Sequence, residues 1–332
     1  MKTYFRPLVQ HGPARPKGAV ELAGQPLWFT HAEVLTRENP AQILPVAEIP
    51  SDALGRLTNP RADLCGLDMK CPHIMGILNA TPDSFSDGGL HNSVEGARNA
   101  AAEMVAHGAT ILDIGGESTR PGADFVPEDE EIARTRPLIE AIRAETDVLI
   151  SIDTRKARVA RAASAVGAGL VNDVSGFTFD PDLAPLCAQL GTPVCLMHMQ
   201  GDPATMQDDP QYNNVLLDVY DFLEGQITHL ERLGLNRENI VVDPGIGFGK
   251  SQDHNLALLR GLSLFHGLGC PILVGVSRKG FVGSIGQEPR KDARAPGSIA
   301  LALAGLSQGV QIIRVHDVAE TAQALRLWAA VR

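Results

Sequence analysis

VLISIDTRKARVARAASAVGAGLVNDVSG, residues 148–176, holds two short apolar runs on either side of a stretch with helical periodicity at 156–166. Each run closes on polar residues, IDT in the first and NDVSG in the second. A strand buried on both faces of a parallel sheet has no polar face to alternate with, so it reads as a nearly continuous run of Val, Ile and Leu. The segment is therefore one strand–helix–strand unit. The same pattern extends in both directions. Upstream lie HIMGILN (73–79) and ATILDIGG (109–116); downstream lie PVCLMH (193–198), IVVDPG (240–245), PILVGVSR (271–278) and QIIRVH (311–316). Further helical stretches occupy 94–107 and 128–145. Eight such units over about 260 residues predict an α/β chain closed as a (β/α)8 TIM barrel, with an open doubly wound sheet as the alternative.

Residues 1–70 differ. Nine of the 22 prolines fall at or before position 72, and proline at this density removes backbone donors and blocks long helices. Only 26–35 (PLWFTHAEVL) resembles a strand or hairpin arm. The division expected is an irregular N-terminal extension of unassigned role at 1–70, packed on the barrel through Trp28, Phe29 and several Leu and Ile, and a barrel domain at 71–332.

Composition narrows the partners. The chain has 332 residues, 44% apolar and 20% charged, with a formal net charge of −10. That balance argues against general affinity for nucleic acid or an anionic membrane surface. No apolar run approaches the roughly 20 residues that span a bilayer, and no secretory leader is visible. The five cysteines (65, 71, 187, 195 and 270) show neither CxxC nor zinc spacing, which fits a soluble cytoplasmic protein.

Function is concentrated where the runs end. Asn79, the Gly115-Gly116-Glu117 cluster, Asp153, Asn172, His198, Asp243, Arg278-Lys279, and Arg314 with His316 all stand at C-terminal strand ends. In a βα barrel these ends share one mouth. Structural polar residues would fall at both ends alike. Asp153, Asn172 and Asp243 offer buried acceptors, which need hydrogen-bond donors. A flat heterocycle with an amidine-like edge, such as guanine or a pterin, supplies two adjacent N–H groups to one carboxylate. Lys279 would face a ring carbonyl, or else pair with Asp153 as a structural bridge. Arg314 and His316, two apart in a strand, point to one face and suit a phosphate or pyrophosphate. Asn79 offers a hard oxygen for Mg²⁺ bridging a diphosphate. Two loops, 81–92 and 115–124, are dense in Gly, Pro, Ser and Asp and read as lids.

Together GILNATPDSFSDGG (76–89), DIGGESTRPGA (113–123), SIDT (151–154), LMHMQGDPATMQ (196–207), DPGIGFGK (243–250), GVSRKGFVG (275–283) and IIRVHDV (312–318) resemble the bacterial dihydropteroate synthase family of pterin-binding barrels. The resemblance runs from about residue 73 to the C-terminus. It implies a folate-pathway transferase, usually a homodimer and a sulfonamide target. The family condenses 6-hydroxymethyl-7,8-dihydropterin diphosphate with 4-aminobenzoate to 7,8-dihydropteroate and pyrophosphate. Carried over by motif, Asp153, Asn172, Asp243 and Lys279 would hold the pterin, with Met197 and Phe248 lining it, and Asp153, Asp243 and Lys279 acting in catalysis. Asn79 would bind Mg²⁺; Asn79, Thr119, Arg314 and His316 would hold the diphosphate. Phe85, Asp87, Thr119, Arg120, Pro121, Lys279 and Gly280 would form the aminobenzoate site. Relatives often carry Ser after the Arg-Lys pair, where this chain has Gly280, so a backbone N–H would serve there in place of a hydroxyl. Two other readings share the pterin pocket: a methyltransferase barrel passing a methyl group from a folate to a corrinoid, which needs no diphosphate grip, and a non-catalytic pterin-binding paralogue.

Overall fold

The computed structural model describes residues 2–80, 89–118, 124–201 and 205–331. Each of the eight apolar runs forms a strand: β1 (His73–Asn79), β2 (Ile111–Gly115), β3 (Leu149–Asp153), β4 (Leu170–Asp173), β5 (Val194–Met197), β6 (Ile240–Asp243), β7 (Leu273–Val274) and β8 (Ile312–Val315). All neighbouring pairs are parallel, in the order 6-5-4-3-2-1-8-7. A single bridge, Val242 to Ile272, joins β6 to β7, with the Val242 N–H donating to the Pro271 carbonyl at 2.9 Å. The sheet is therefore a nearly closed barrel, as the repeat predicts.

Eight helices follow the strands in turn: α1 (Gly89–His107), α2 (Glu128–Arg143), α3 (Ala157–Ser164), α4 (Leu183–Leu190), α5 (Val215–Arg232), α6 (Gln252–Arg260), α7 (Ala295–Leu306) and α8 (Val318–Ala330). A short helix, Gly280–Ile285, precedes α7. Helix α1 begins at Gly89, so the last residues of the expected first loop are helical. Among the described residues no helix is long and apolar enough to cross a membrane, and all five cysteines are free thiols.

The two-residue period of the strands separates two cores. Outward-facing residues such as Ile114, Ile150, Ile152, Leu196 and Val242 pack under the helices. Inward-facing Met75, Ile111, Leu170, Cys195, Val241, Leu273 and Ile312 form a sealed apolar floor, capped by Leu64 and Met69 from the chain just before β1. Above this floor, toward the strand C-termini, inward-facing positions turn polar, while below it the buried His73 ring lies 3.2 Å from Thr110 Oγ1 and 2.9 Å from the Asp68 carbonyl.

The extension is more regular than its proline count suggests. Strands Tyr4–Pro7, His31–Leu35 and Gln42–Pro45 make an antiparallel sheet, Val20–Glu21 pairs with Trp28–Phe29, and a helix spans Ser51–Thr58. Pro7 and Pro45 close strands and Pro50 precedes the helix, positions where a missing N–H does little harm. Leu22, Leu27, Phe29 and Leu57 give it a core of its own. It is fastened to the barrel by Tyr4 and Arg37 on Asp221 of α5, by Ser263 Oγ donating to the Pro7 carbonyl at 2.9 Å, and by Arg61 donating to the His266 carbonyl at 3.0 Å.

Candidate active site

Strand register alone collects the first group. Asn79 pairs with Gly115, Gly115 with Asp153, and Asp153 with Asn172, so these four positions form one row across β1 to β4. Two residues down β2 and β3 lie Asp113 and Ser151, paired with each other and flanked by Ile77 of β1 and Leu170 of β4; beneath them Ile111 and Leu149 continue the floor. A polar storey thus rests directly on an apolar one.

Arg314 of β8 enters this storey. Its Nε donates to Asp113 Oδ2 at 2.5 Å and its Nη2 to Asp153 Oδ2 at 2.7 Å, while Asn172 Nδ2 donates to Asp113 Oδ2 at 3.1 Å. Asp113 is fully buried and Asp153 nearly so. Burial pushes the Asp153 carboxyl up to about 7, against the downward pull of Arg314, and the neighbouring Asp113 adds to the rise. Burial likewise carries Asp243 up to about 6, although it accepts the Gly245 N–H at 2.7 Å. Asp113 Oδ1 and Ser151 Oγ are buried and have no hydrogen-bond partner among the described residues. Orphaned polar atoms of this kind are rare in folded proteins; Ser164 Oγ, His266 Nδ1 and Gln311 Nε2 share the property away from the mouth, and what sets this pair apart is its place in the storey that Arg314 enters.

The loops after β6 and β7 bring the second group. The β6 loop, Pro244 to Lys250, has glycines with left-handed φ at 245, 247 and 249. Side chains are excluded there, since a Cβ on Gly245 would overlap the His198 carbonyl oxygen and one on Gly249 that of Gln200. The tight path presents the Phe248 ring, over which the Lys279 ammonium lies 4.1 Å from the centroid. Met197, buried at the end of β5, is in register with Asp243. Arg278 takes a left-handed φ of 58°, a strained turn held by its ion pair with Asp317 and by Ser298 Oγ on its N–H; this turn carries the chain from β7 to Lys279. Gly280 opens the short helix, and a Cβ there would meet open space. His316 lies above Arg314, its Nδ1 2.9 Å from Ser277 Oγ.

A third, wholly buried cluster braces the flanks of the β2 loop. Glu117 accepts from the Val126 N–H, Arg155 Nε and Lys156 Nζ, and Lys156 also reaches Glu131 at 2.7 Å and the Val126 carbonyl at 2.6 Å. Burial would raise Glu117, but these donors hold it below its ordinary range.

Of the residues singled out in the sequence, Asp153, Asn172 and Arg314 come into one bonded cluster. Asp243, Met197, Phe248 and Lys279 line the neighbouring arc, and Asn79, Gly280 and His316 stand at the rim. Phe85, Asp87, Thr119, Arg120 and Pro121 lie outside the described residues. Arg314 and His316 share a strand face as expected but stand one storey apart, and it is Arg314 that bridges the buried carboxylates. Sequence reading passed over Asp113, Ser151, Lys250 and the Lys156–Glu131 pair, and it placed Glu117 at a strand end without a role. For Asp113 the signal was present, an acid within the apolar run ILDIG.

A family model described as pterin binding enzyme matches residues 75–316. The dihydropteroate synthase of Escherichia coli (strain K12) is 48% identical over 261 residues, 79% of this chain and 92% of that protein. The chain belongs to the dihydropteroate synthases. The same enzyme from Haemophilus influenzae is 47% identical over 264 residues, covering 80% and 95% of the two chains. Among solved structures, dihydropteroate synthase of Xanthomonas albilineans with 4-aminobenzoic acid superposes with a TM-score of 0.77 at 44% identity, over 82% of this chain and 98% of the other. The Yersinia pestis dihydropteroate synthase in a sulfonamide drug complex gives 0.76 at 45%, over 80% and 96%. As a dihydropteroate synthase the chain is a transferase. The family match begins at Met75, so the extension precedes it.

Proposed function

We propose that the barrel mouth joins 4-aminobenzoate to 6-hydroxymethyl-7,8-dihydropterin diphosphate, forming 7,8-dihydropteroate and pyrophosphate by a dissociative substitution. The observation that carries the reading is the buried Asp113–Asp153–Arg314–Asn172 cluster beside Asp243, with Asp113 Oδ1 and Ser151 Oγ unpartnered among the described residues. A pterin edge brings the N–H donors and acceptors such a storey requires. Asp153, Asn172 and Asp243 hold that edge, Lys279 faces the ring carbonyl, and Met197 and Phe248 line the ring.

Loss of pyrophosphate leaves positive charge on the pterin methylene, spread into the ring. Carboxylates at Asp153 and Asp243 stabilise that cation more than the neutral ground state, which lowers the barrier. Arg314 and His316 are assigned to the leaving diphosphate, with Thr119. The arylamine then attacks carbon, bounded by Phe85, Asp87, Thr119, Arg120, Pro121, Lys279 and Gly280. Mg²⁺ suits the donors present: a cation carried largely by phosphate oxygens and water needs one or two protein oxygens, and Asn79 supplies one at the rim. When bound, it would neutralise charge on the leaving group. We place the enzyme in the cytoplasm as a homodimer open to sulfonamides, which imitate the aminobenzoate.

Pyrophosphate release with each substrate omitted in turn tests the reading. Release from pterin diphosphate and Mg²⁺ alone, with a trapped pterin cation, is expected. Release only with an amine present, at a rate rising steeply with amine nucleophilicity, would sink the dissociative step. The diphosphate grip separates this activity from folate-to-corrinoid methyl transfer. Complementation of a strain lacking the synthase separates it from a non-catalytic pterin binder.

A further inference from the structure

Lys250 closes the β6 loop and is almost completely buried. Its ammonium donates to the Phe248 carbonyl at 2.9 Å and the His198 carbonyl at 3.3 Å, and lies 2.8 Å from His198 Nδ1. All three partners are neutral acceptors; among the described residues Lys250 makes no ion pair. A buried ammonium without a counter-charge costs several kcal/mol. Burial accordingly lowers Lys250 to about 7, with Asp243 pulling it up and Lys279 pushing it down, and His198 is driven well below its usual value by burial and by Lys250.

The neighbouring carbonyls show that the loop could be held more cheaply. Gln207 Nε2 donates to the Gly247 carbonyl at 2.8 Å and the Tyr212 hydroxyl to that of Gly249 at 2.7 Å. Three successive carbonyls are therefore pinned by three side chains, and only the middle one, belonging to Phe248, is held by a charged group. Phe248 is also the residue whose ring lies under Lys279.

We propose that Lys250 is a positioning residue for the transferase reaction, holding the Phe248 carbonyl so that the Phe248 ring seats the Lys279 ammonium against the pterin. The proposal rests on the functional reading above. Lys250 touches no reacting atom; it acts through Phe248. A displacement of about 1 Å in a group that orients substrate can cost on the order of a hundredfold in rate.

The test is Lys250→Met, of similar length and without donors, read by pyrophosphate release and by thermal melting. A fall of about ten- to a hundredfold in kcat/KM for the pterin diphosphate is expected. The melting temperature should hold or rise, since an apolar side chain replaces an uncompensated charge. Lys250→Gln, which keeps a donor for the Phe248 carbonyl, should recover part of the loss. Kinetics within about twofold of wild type per folded molecule would overturn the proposal. So would failure of both variants to fold, because Lys250 would then be a structural residue. If the wild type itself releases no pyrophosphate, the functional reading fails separately, and pterin affinity measured by calorimetry decides the role of Lys250 instead.

Discussion

Arg314 lies between Asp113 and Asp153, and that placement governs what its removal should do. An arginine reserved for a substrate anion could be truncated with little effect on the fold. One that neutralises two buried carboxylates could not, since they would be left unpaired at a cost of about 3–5 kcal/mol. Arg314→Ala is therefore expected to lower the thermal midpoint as well as pterin diphosphate affinity; an unchanged melt would show that the bridge contributes nothing to stability. The raised carboxyls set a pH dependence. Asp153 sits at about 7 against an ordinary 3.8, so it binds its proton more tightly folded than unfolded. Its contribution to stability is then fully present below about pH 4 and is lost as pH rises through about 7. The difference in melting temperature between wild type and Asp153→Asn should move against the wild type over that window. Activity should run the other way, kcat/KM for the pterin rising as Asp243 and Asp153 ionise between about pH 5 and 7; a flat profile would remove both from the binding step.

Two buried lysines in loops at the strand ends invite opposite expectations. Lys250 faces neutral acceptors, whereas Lys156 is paired with Glu117 and Glu131, both buried. Lys156→Met should therefore destabilise by about 3–5 kcal/mol, followed by chemical denaturation, because two carboxylates lose their cation. Lys250→Met should not. A melt unaffected by Lys156→Met would show that Arg155 alone neutralises the cluster. Sequence made the strands legible because parallel strands buried on both sides admit almost nothing but Val, Ile and Leu, so polar residues stand out where they end. Depth within the barrel is what the pattern does not carry. Arg314 and His316 read as one site because they share a face, yet two residues along a strand are about 6.6 Å apart, enough to put one in the Asp113 storey and the other at the rim. Asp113 itself was hidden by the same rule, sitting inside a run rather than at its end. Lys250 and the partners of Glu117 were hidden because they join segments remote in sequence.

The extension contributes to the barrel from below. Leu64 and Met69 complete the apolar floor, so the boundary near residue 70 drawn from composition cuts through a packed core. A chain beginning at Ala62 should keep its floor and release pyrophosphate, while one beginning at Cys71 should melt markedly lower, by about 2–5 kcal/mol for each large side chain lost. Equal melts would mean that the floor seals without them. Within the extension the strand reading of 26–35 holds at Trp28–Phe29 and His31–Leu35, whereas its partners at 4–7 and 42–45 were illegible because they are short and proline at their ends masks the alternation. Finally, the cylinder is not uniformly stitched. Between β6 and β7 the Val242–Ile272 bridge alone, among the described residues, closes the wall, and β7 has two residues. The loops bearing Phe248 and Lys279 spring from opposite banks of this seam. Amide hydrogens at 272–274 should accordingly exchange faster than those of β2 or β3, and pterin, clasped by both banks, should slow them: the substrate would act as the missing rung of the ladder.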